Sequence, residues 1–119
     1  MKTVKIVPSL CKAKDSKWSG YVVMRLPTFD EKFDYIESLN VEVDANGEVE
    51  ASSGTKDRLK QIRKLVSASQ KHYVEVCLEN KDTQEKVSSF DDMQYIDDLH
   101  AVMAEIAGKL VDGFKVGNG

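Results

Sequence analysis

The chain has 119 residues, 41% hydrophobic and 31% charged, which suits one globular domain with a core of its own and a well-charged surface. Its 17 Lys and Arg against 20 Asp and Glu leave a net charge of -3, which excludes a dedicated polybasic protein but leaves a local basic patch open. No apolar run approaches the roughly 20 residues of a membrane span, and the first 18 residues lack the apolar stretch of a signal peptide, so the expected setting is the cytoplasm, away from membrane.

Residues 1–17 read as a basic, partly mobile arm. They carry Lys2, Lys5, Lys12, Lys14 and Lys17 against Asp15, and Val4, Ile6 and Pro8 suit at most an edge strand. Residues 18–113 are expected to form a single globular domain, leaving 114–119 as a tail. Trp18-Ser19-Gly20 leads into YVVMRLP, a β-prone run stopped by Pro27. In TFDEKFDYIESL, Thr28 as N-cap and Glu31 three residues on form a capping-box pattern. Phe29, Phe33, Ile36 and Leu39 then recur at helical spacing. VEVDANGEVEASSG places two Val/Glu alternations around Asn46-Gly47, which fits an exposed hairpin or an acidic loop equally well.

Residues 55–71 predict a helix capped by Thr55, with Leu59, Ile62, Leu65, Val66 and Ser69 on one stripe. Its opposite face carries Lys56, Arg58, Lys60, Arg63, Lys64 and Lys71. HYVEVCLEN is the best strand, with Val74, Val76 and Leu78 on one face and Cys77 on the other; QEKVSSF is expected to pair with it across the turn at Asn80–Thr83. Phe90 is a hydrophobic-staple candidate before Asp91, and DDMQYIDD suits one or two helical turns. DDLHAVMAEIAGKL predicts the last helix, with Leu99, Val102, Met103, Ile106 and Leu110 facing the core and Gly113 ending it. The class expected from this order is α+β: a helix-weighted single domain with a small antiparallel sheet or hairpins.

Reactive side chains are sparse. The two cysteines, Cys11 and Cys77, and two histidines, His72 and His100, fall in no CxxC, CxH or HExxH spacing, so a zinc site is not indicated. Cys77 reads as a free thiol in a reducing compartment. Pairing it with His72 or His100 for nucleophilic catalysis needs a proximity that spacing does not supply. A Cys11–Cys77 disulfide stays open, with nothing in its favour. The pairs Asp91–Asp92 and Asp97–Asp98 sit where carboxylates complement helix N-termini, and DANGE at 44–48 lacks the third oxygen ligand before the glycine and the Glu six residues after it that a calcium loop needs. No catalytic constellation remains, so a protein that is not an enzyme, with no metal and no cofactor, is expected.

Two surface features are functional candidates. The basic face at 56–71 suits a solvated helix with salt partners in the acidic 30–50 region, or a contact with an acidic partner. Nucleic acid ranks last, because interleaved aromatics and a helix-turn-helix partner are missing. The second feature is charge alternation: +4 over 1–18, -7 over 27–50, +5 over 55–71 and -4 from Phe90 to the end. Oppositely charged faces favour head-to-tail self-association. Phe114 and Val116 are apolar residues in a Gly-rich tail, suited to docking on the core first, or to disorder or a sticky contact.

The second half, above all SFDDMQYIDDLHAVMAEIAGKL followed by GFKVGNG, resembles the tail assembly chaperones of long-tailed bacteriophages and prophages. The early strand ending in Pro-Thr, the helix KDRLKQIRKLVSAS and the acidic SFDD lead-in extend the resemblance over residues 18–117. It implies a non-enzymatic factor that binds the tape measure protein, keeps it soluble and brings tail tube protein to it. It also implies self-association into rings or spirals, a location in the host bacterial cytoplasm and absence from the mature virion. Many such genes yield a longer product by ribosomal frameshifting, and Ala107-Gly108-Lys109 can be encoded by a slippery heptamer. The expected partner-binding residues are Lys56, Arg58, Lys60, Arg63, Lys64, Phe114 and Val116. The alternative is a small adaptor or regulatory domain that binds an acidic protein or nucleic acid through the basic 56–71 face.

Overall fold

Four strands follow one another across a single antiparallel sheet in the order of the chain: β1 (Thr3–Ile6), β2 (Trp18–Arg25), β3 (Tyr73–Asn80) and β4 (Lys86–Val87). The structure is a computed structural model that describes residues 2–39 and 55–113. Its helices among those residues are α1 (Ser9–Lys12), α2 (Phe29–Leu39), α3 (Thr55–Ser69), α4 (Phe90–Met93) and α5 (Asp97–Asp112), with a 3-10 turn at Gln70–His72 leading into β3. The class is α+β, as the order of elements predicts. The segment 41–54, expected to be a hairpin or loop, lies outside the described residues, and so does the tail 114–119. No helix among the described residues is long and apolar enough to cross a membrane.

The N-terminal segment forms the edge strand that Val4 and Ile6 suit, held in the sheet against β2. Val4 and Ile6 alternate with exposed Thr3 and Lys5, pair with Met24 and Val22, and are buried in the main core. Burying two such side chains contributes about 1.5–3 kcal/mol each, which a charge count over the segment overlooks. The next turn is anchored as well: the Ser9 backbone N–H and hydroxyl donate to the Glu105 carboxylate on α5 at 3.0–3.3 Å.

β2 begins at Trp18, before the run of β-branched residues. The indole is buried, and its Nε1–H donates to Asp98 at the start of α5, at 3.2 Å. Gly20 then sits at φ +125°, where a Cβ would collide with the Cys77 carbonyl on β3. Only glycine lets the two strands approach this closely. Near the other end Met24 pairs with Tyr73 while Val23 pairs with Glu75, leaving Val74 as an extra residue. This bulge turns Val74 outward, so it does not share the buried face of Val76 and Leu78 as alternation predicts.

The predicted capping box at the start of α2 forms in full. The Glu31 N–H donates to the Thr28 hydroxyl at 3.2 Å, and the Thr28 N–H donates to the Glu31 carboxylate at 3.0 Å. At α4 the cap is Ser89, whose Oγ accepts from the Asp92 N–H. Phe90 is therefore the first helical residue, packed edge-on against Tyr73 at 4.9 Å between ring centroids, and not a staple ahead of the helix. All five predicted core residues of α5 are buried, and the helix closes at Gly113, which donates to the Lys109 carbonyl at φ +93°. A smaller core cluster of Tyr35, Leu65, Ala107 and Leu110 joins α2, α3 and α5. Strand alternation on one side and the α5 stripe on the other thus enclose the main core, leaving α2 and α3 at its margin.

Candidate functional site

Pro27 stops β2 and Thr28 opens α2, which brings Arg25 and Glu31 onto one corner of the molecule. The guanidinium of Arg25 donates twice to the Glu31 carboxylate, each bond 2.9 Å long. Together with the Thr28 N–H, this holds the Glu31 carboxyl well below the usual carboxylate range. Lys71 lies 3.5 Å from the same carboxylate. Beneath it His72 is fully buried: Nδ1 is 2.9 Å from the Arg25 carbonyl, and Nε2 is 2.6 Å from the Tyr35 hydroxyl. A carbonyl only accepts, so Nδ1 carries the proton and neutral Nε2 accepts from Tyr35. Burial pushes the His72 pKa down and favours that neutral form.

This corner ties elements together and is poorly suited to proton transfer. Both imidazole nitrogens are already engaged, so taking a proton from an outside group costs His72 one of its bonds. Cys77 projects away from the Val76 and Leu78 face, and its Sγ lies 3.2 Å from a Glu75 carboxylate oxygen. His100, on α5, has its Nε2 2.7 Å from the Gln94 carbonyl. Neither histidine is hydrogen-bonded to a cysteine, and both thiols are free. Among the described residues no group of three His, Cys, Asp or Glu is placed to hold a metal ion.

The distinctive surfaces are apolar. On α2 the rings of Phe29 and Phe33 are 78% and 51% exposed, with centroids 5.5 Å apart, and Ile36 is exposed beside them. Spacing predicts this stripe as the core face, yet Tyr35 is the residue turned inward. The reason is long-range: the Glu31–Arg25 and Tyr35–His72 bonds fix the rotation of α2 about its axis. The predicted stripe of α3 is also divided. Leu65 and Ser69 are buried, but Leu59 and Ile62 remain 56% and 41% exposed. These two and Val66 form one wall of a groove of about 700 Å³, and Phe90, Met103 and Ala104 form the other.

The predicted basic residues divide between two settings. Arg58, Lys60 and Lys64 are exposed, and Arg63 lines the groove while remaining exposed. None of the four makes an ion pair among the described residues. Lys71 differs: it pairs with Glu31 and lies 5.7 Å over the Tyr35 ring, so the acidic 30–50 region does supply one salt partner to this face. The Lys56 side chain, Phe114 and Val116 lie outside the described residues. Sequence reasoning misses the α4–α5 wall of the groove and the Tyr35–His72 contact, because no local spacing links residues so far apart. One signal was available: aromatic Phe29 and Phe33 with Ile36 compete with Tyr35 for a single inward face. No protein-family model, curated protein sequence or solved structure matches the chain.

Proposed function

We propose that the protein is a non-enzymatic tail assembly chaperone of a long-tailed phage or prophage, acting in the host bacterial cytoplasm and absent from the mature virion. It binds the tape measure protein, keeps it soluble and recruits tail tube protein during tail assembly. The observation that carries this reading is the apolar surface left on two neighbouring helices, Phe29, Phe33 and Ile36 on α2 with Leu59 and Ile62 on α3. A domain with a well-filled core has no packing need to leave five large apolar side chains in water, and such faces mark contact surfaces. A long chain with apolar stripes aggregates when exposed, and a coat of weak, repeated contacts shields it until assembly replaces them. The alternating charge blocks along the sequence favour copies lying head to tail on such a client.

Co-expression with a tape measure protein tests the reading directly. The tape measure protein stays soluble and co-purifies with the wild-type chain. A Phe29→Ser, Phe33→Ser variant of unchanged melting temperature loses it to the pellet. Light scattering on the free chain gives oligomers that grow with concentration. A tape measure protein equally insoluble with and without the chain refutes the proposal. A gene neighbourhood with a very long coiled-coil-rich frame downstream adds support.

The adaptor reading keeps one observation in its favour, the exposed Arg58, Lys60 and Lys64 without ion-pair partners among the described residues. It requires an acidic partner whose affinity falls steeply with salt. Binding that survives high salt counts against it.

A further inference from the structure

The groove between α3 and the α4–α5 wall is separate from the aromatic stripe of α2, and its shape narrows what it takes. Its lining runs from Leu59 on α3 to Gln70 in the 3-10 turn that follows, eleven residue steps and so about 16 Å, or three helical turns. Leu59, Ile62 and Val66 supply apolar contacts on that wall, and Phe90 and Met103 face them. The groove stays open to solvent along exposed Leu59 and Ile62. An open trough of this length suits a rod better than a small molecule, which is usually enclosed over most of its surface. The rod that offers apolar anchors at matching three- and four-residue intervals is an amphipathic α-helix.

Charge narrows the choice further. The α3 wall carries a cation: exposed Arg63 lines the groove, and Lys60 and Lys64, exposed on the same helix, likewise make no ion pair among the described residues. On the opposite wall the polar residues are Gln94 and His100. A helix lying in the trough thus meets the Arg63 guanidinium on the α3 side, with no Lys or Arg lining the opposite wall.

We propose that this groove docks a partner protein's amphipathic helix of about three turns, whose apolar stripe is bordered on one side by Asp or Glu facing Arg63. The proposal rests on the chaperone reading only in taking the occupant to be a protein. Leu59, Ile62, Val66, Phe90 and Met103 receive the apolar stripe, and Arg63 sets the direction in which the helix lies.

Two synthetic helical peptides with the same Leu stripe, one with Glu and the other with Lys along the same flank, are titrated into the isotopically labelled full chain. The Glu peptide is expected to bind saturably and to move the amide signals of residues 59–70 and 100–104. The Lys peptide is expected to bind at least about tenfold more weakly, and Arg63→Glu to reverse the preference. Leu59→Glu is expected to abolish binding of both peptides without lowering the melting temperature, since that side chain is already exposed. Equal binding of the two peptides, no binding, or shifts confined to Phe29 and Phe33 overturns the proposal. Self-association that disappears in Leu59→Glu overturns it too, since a second copy then fills the groove. The outcome is separable from the chaperone test. If the two peptides bind equally or not at all while the wild-type chain keeps the tape measure protein soluble, the groove assignment falls and the chaperone reading stands. If the Glu peptide binds but no tape measure protein is solubilised, the reverse holds.

Discussion

The Tyr35 hydroxyl meets His72 Nε2 at 2.6 Å across 37 residues of sequence, tying α2 to the turn that opens β3. The other nitrogen of the same ring donates to the Arg25 carbonyl at the end of β2. One buried imidazole therefore fixes three elements relative to one another, and the outward face of α2 follows from that bond.

Removing the hydroxyl leaves a buried acceptor without its donor. Tyr35→Phe is expected to lower stability by about 1–2 kcal/mol, read from urea unfolding. A double-mutant cycle with His72→Gln is expected to give a coupling energy above about 0.5 kcal/mol. Additive losses in that cycle rule out the bond as an energetic link.

Stability is expected to fall on acidification in two stages. The folded His72 pKa lies below its ordinary 6.5, so the unfolded chain takes up more protons, and stability present above that value drains away as pH falls through it. The groups facing the ring are Arg25 and Lys71, which oppose its protonation, and Glu31, which favours it. The Glu31 carboxyl is held well below 4.5, so its contribution is lost only at still lower pH. Urea midpoints are expected to hold steady from about pH 8 to 7 and to decline below about 6.5. In His72→Gln the upper part of that decline disappears. A wild-type midpoint unchanged down to about pH 5 contradicts this account.

Two glycines predict opposite outcomes. Gly20→Ala puts a Cβ against the Cys77 carbonyl at a positive φ, so it is expected to cost more than about 2 kcal/mol or to prevent folding. Gly108 is inside α5, where a Cβ meets nothing within 4 Å, and Gly108→Ala is expected to stabilise by about 0.5–1 kcal/mol. Thermal melts of the two variants should move in opposite directions.

The Tyr73 hydroxyl is buried beside the Ser69 hydroxyl without a well-formed hydrogen bond, and burial pushes its pKa up against the smaller opposing effect of Ser69. Its ring still packs on Phe90. Tyr73→Phe keeps that contact and removes the unsatisfied hydroxyl, so stability is expected to hold or to rise by up to about 1 kcal/mol. A clear loss in the unfolding midpoint means that the hydroxyl has a partner after all.

Glu31→Gln is expected to cost about 1–2 kcal/mol, because the amide keeps only one oxygen to accept from Arg25 and loses the charge, a figure reduced for partial solvent exposure. The loss should vanish in an Arg25→Met background, where the partner is already gone. Chemical denaturation of the four proteins measures it.

Much of the fold was legible because it rests on short-range signals. The α5 stripe from Leu99 to Leu110, the Thr28–Glu31 box and the turn at Asn80–Thr83 are each written within a dozen residues, and the α+β class follows from the order of such segments. In that turn the Asn80 side chain accepts from the N–H groups of Asp82 and Thr83, the local chemistry that makes Asn a turn residue. The N-terminal strand was harder to read, because Val4 and Ile6 earn their place only by pairing with β2. The outward Val74 was hidden for a similar reason: a bulge is a property of two paired strands.

The candidate site divides in the same way. Residue order alone settled which segments become helices or strands, where caps and stops fall, and how scarce reactive chemistry is, since each depends on neighbours a few positions apart. Which face of α2 turns to water, how far the α3 stripe is buried, and that Phe90 and Met103 meet Leu59 across a groove were settled only in three dimensions. Periodicity marks an apolar stripe but not its partner. The partner is chosen by contacts such as Tyr35 with His72, where burial of a few long-range groups outweighs local preference.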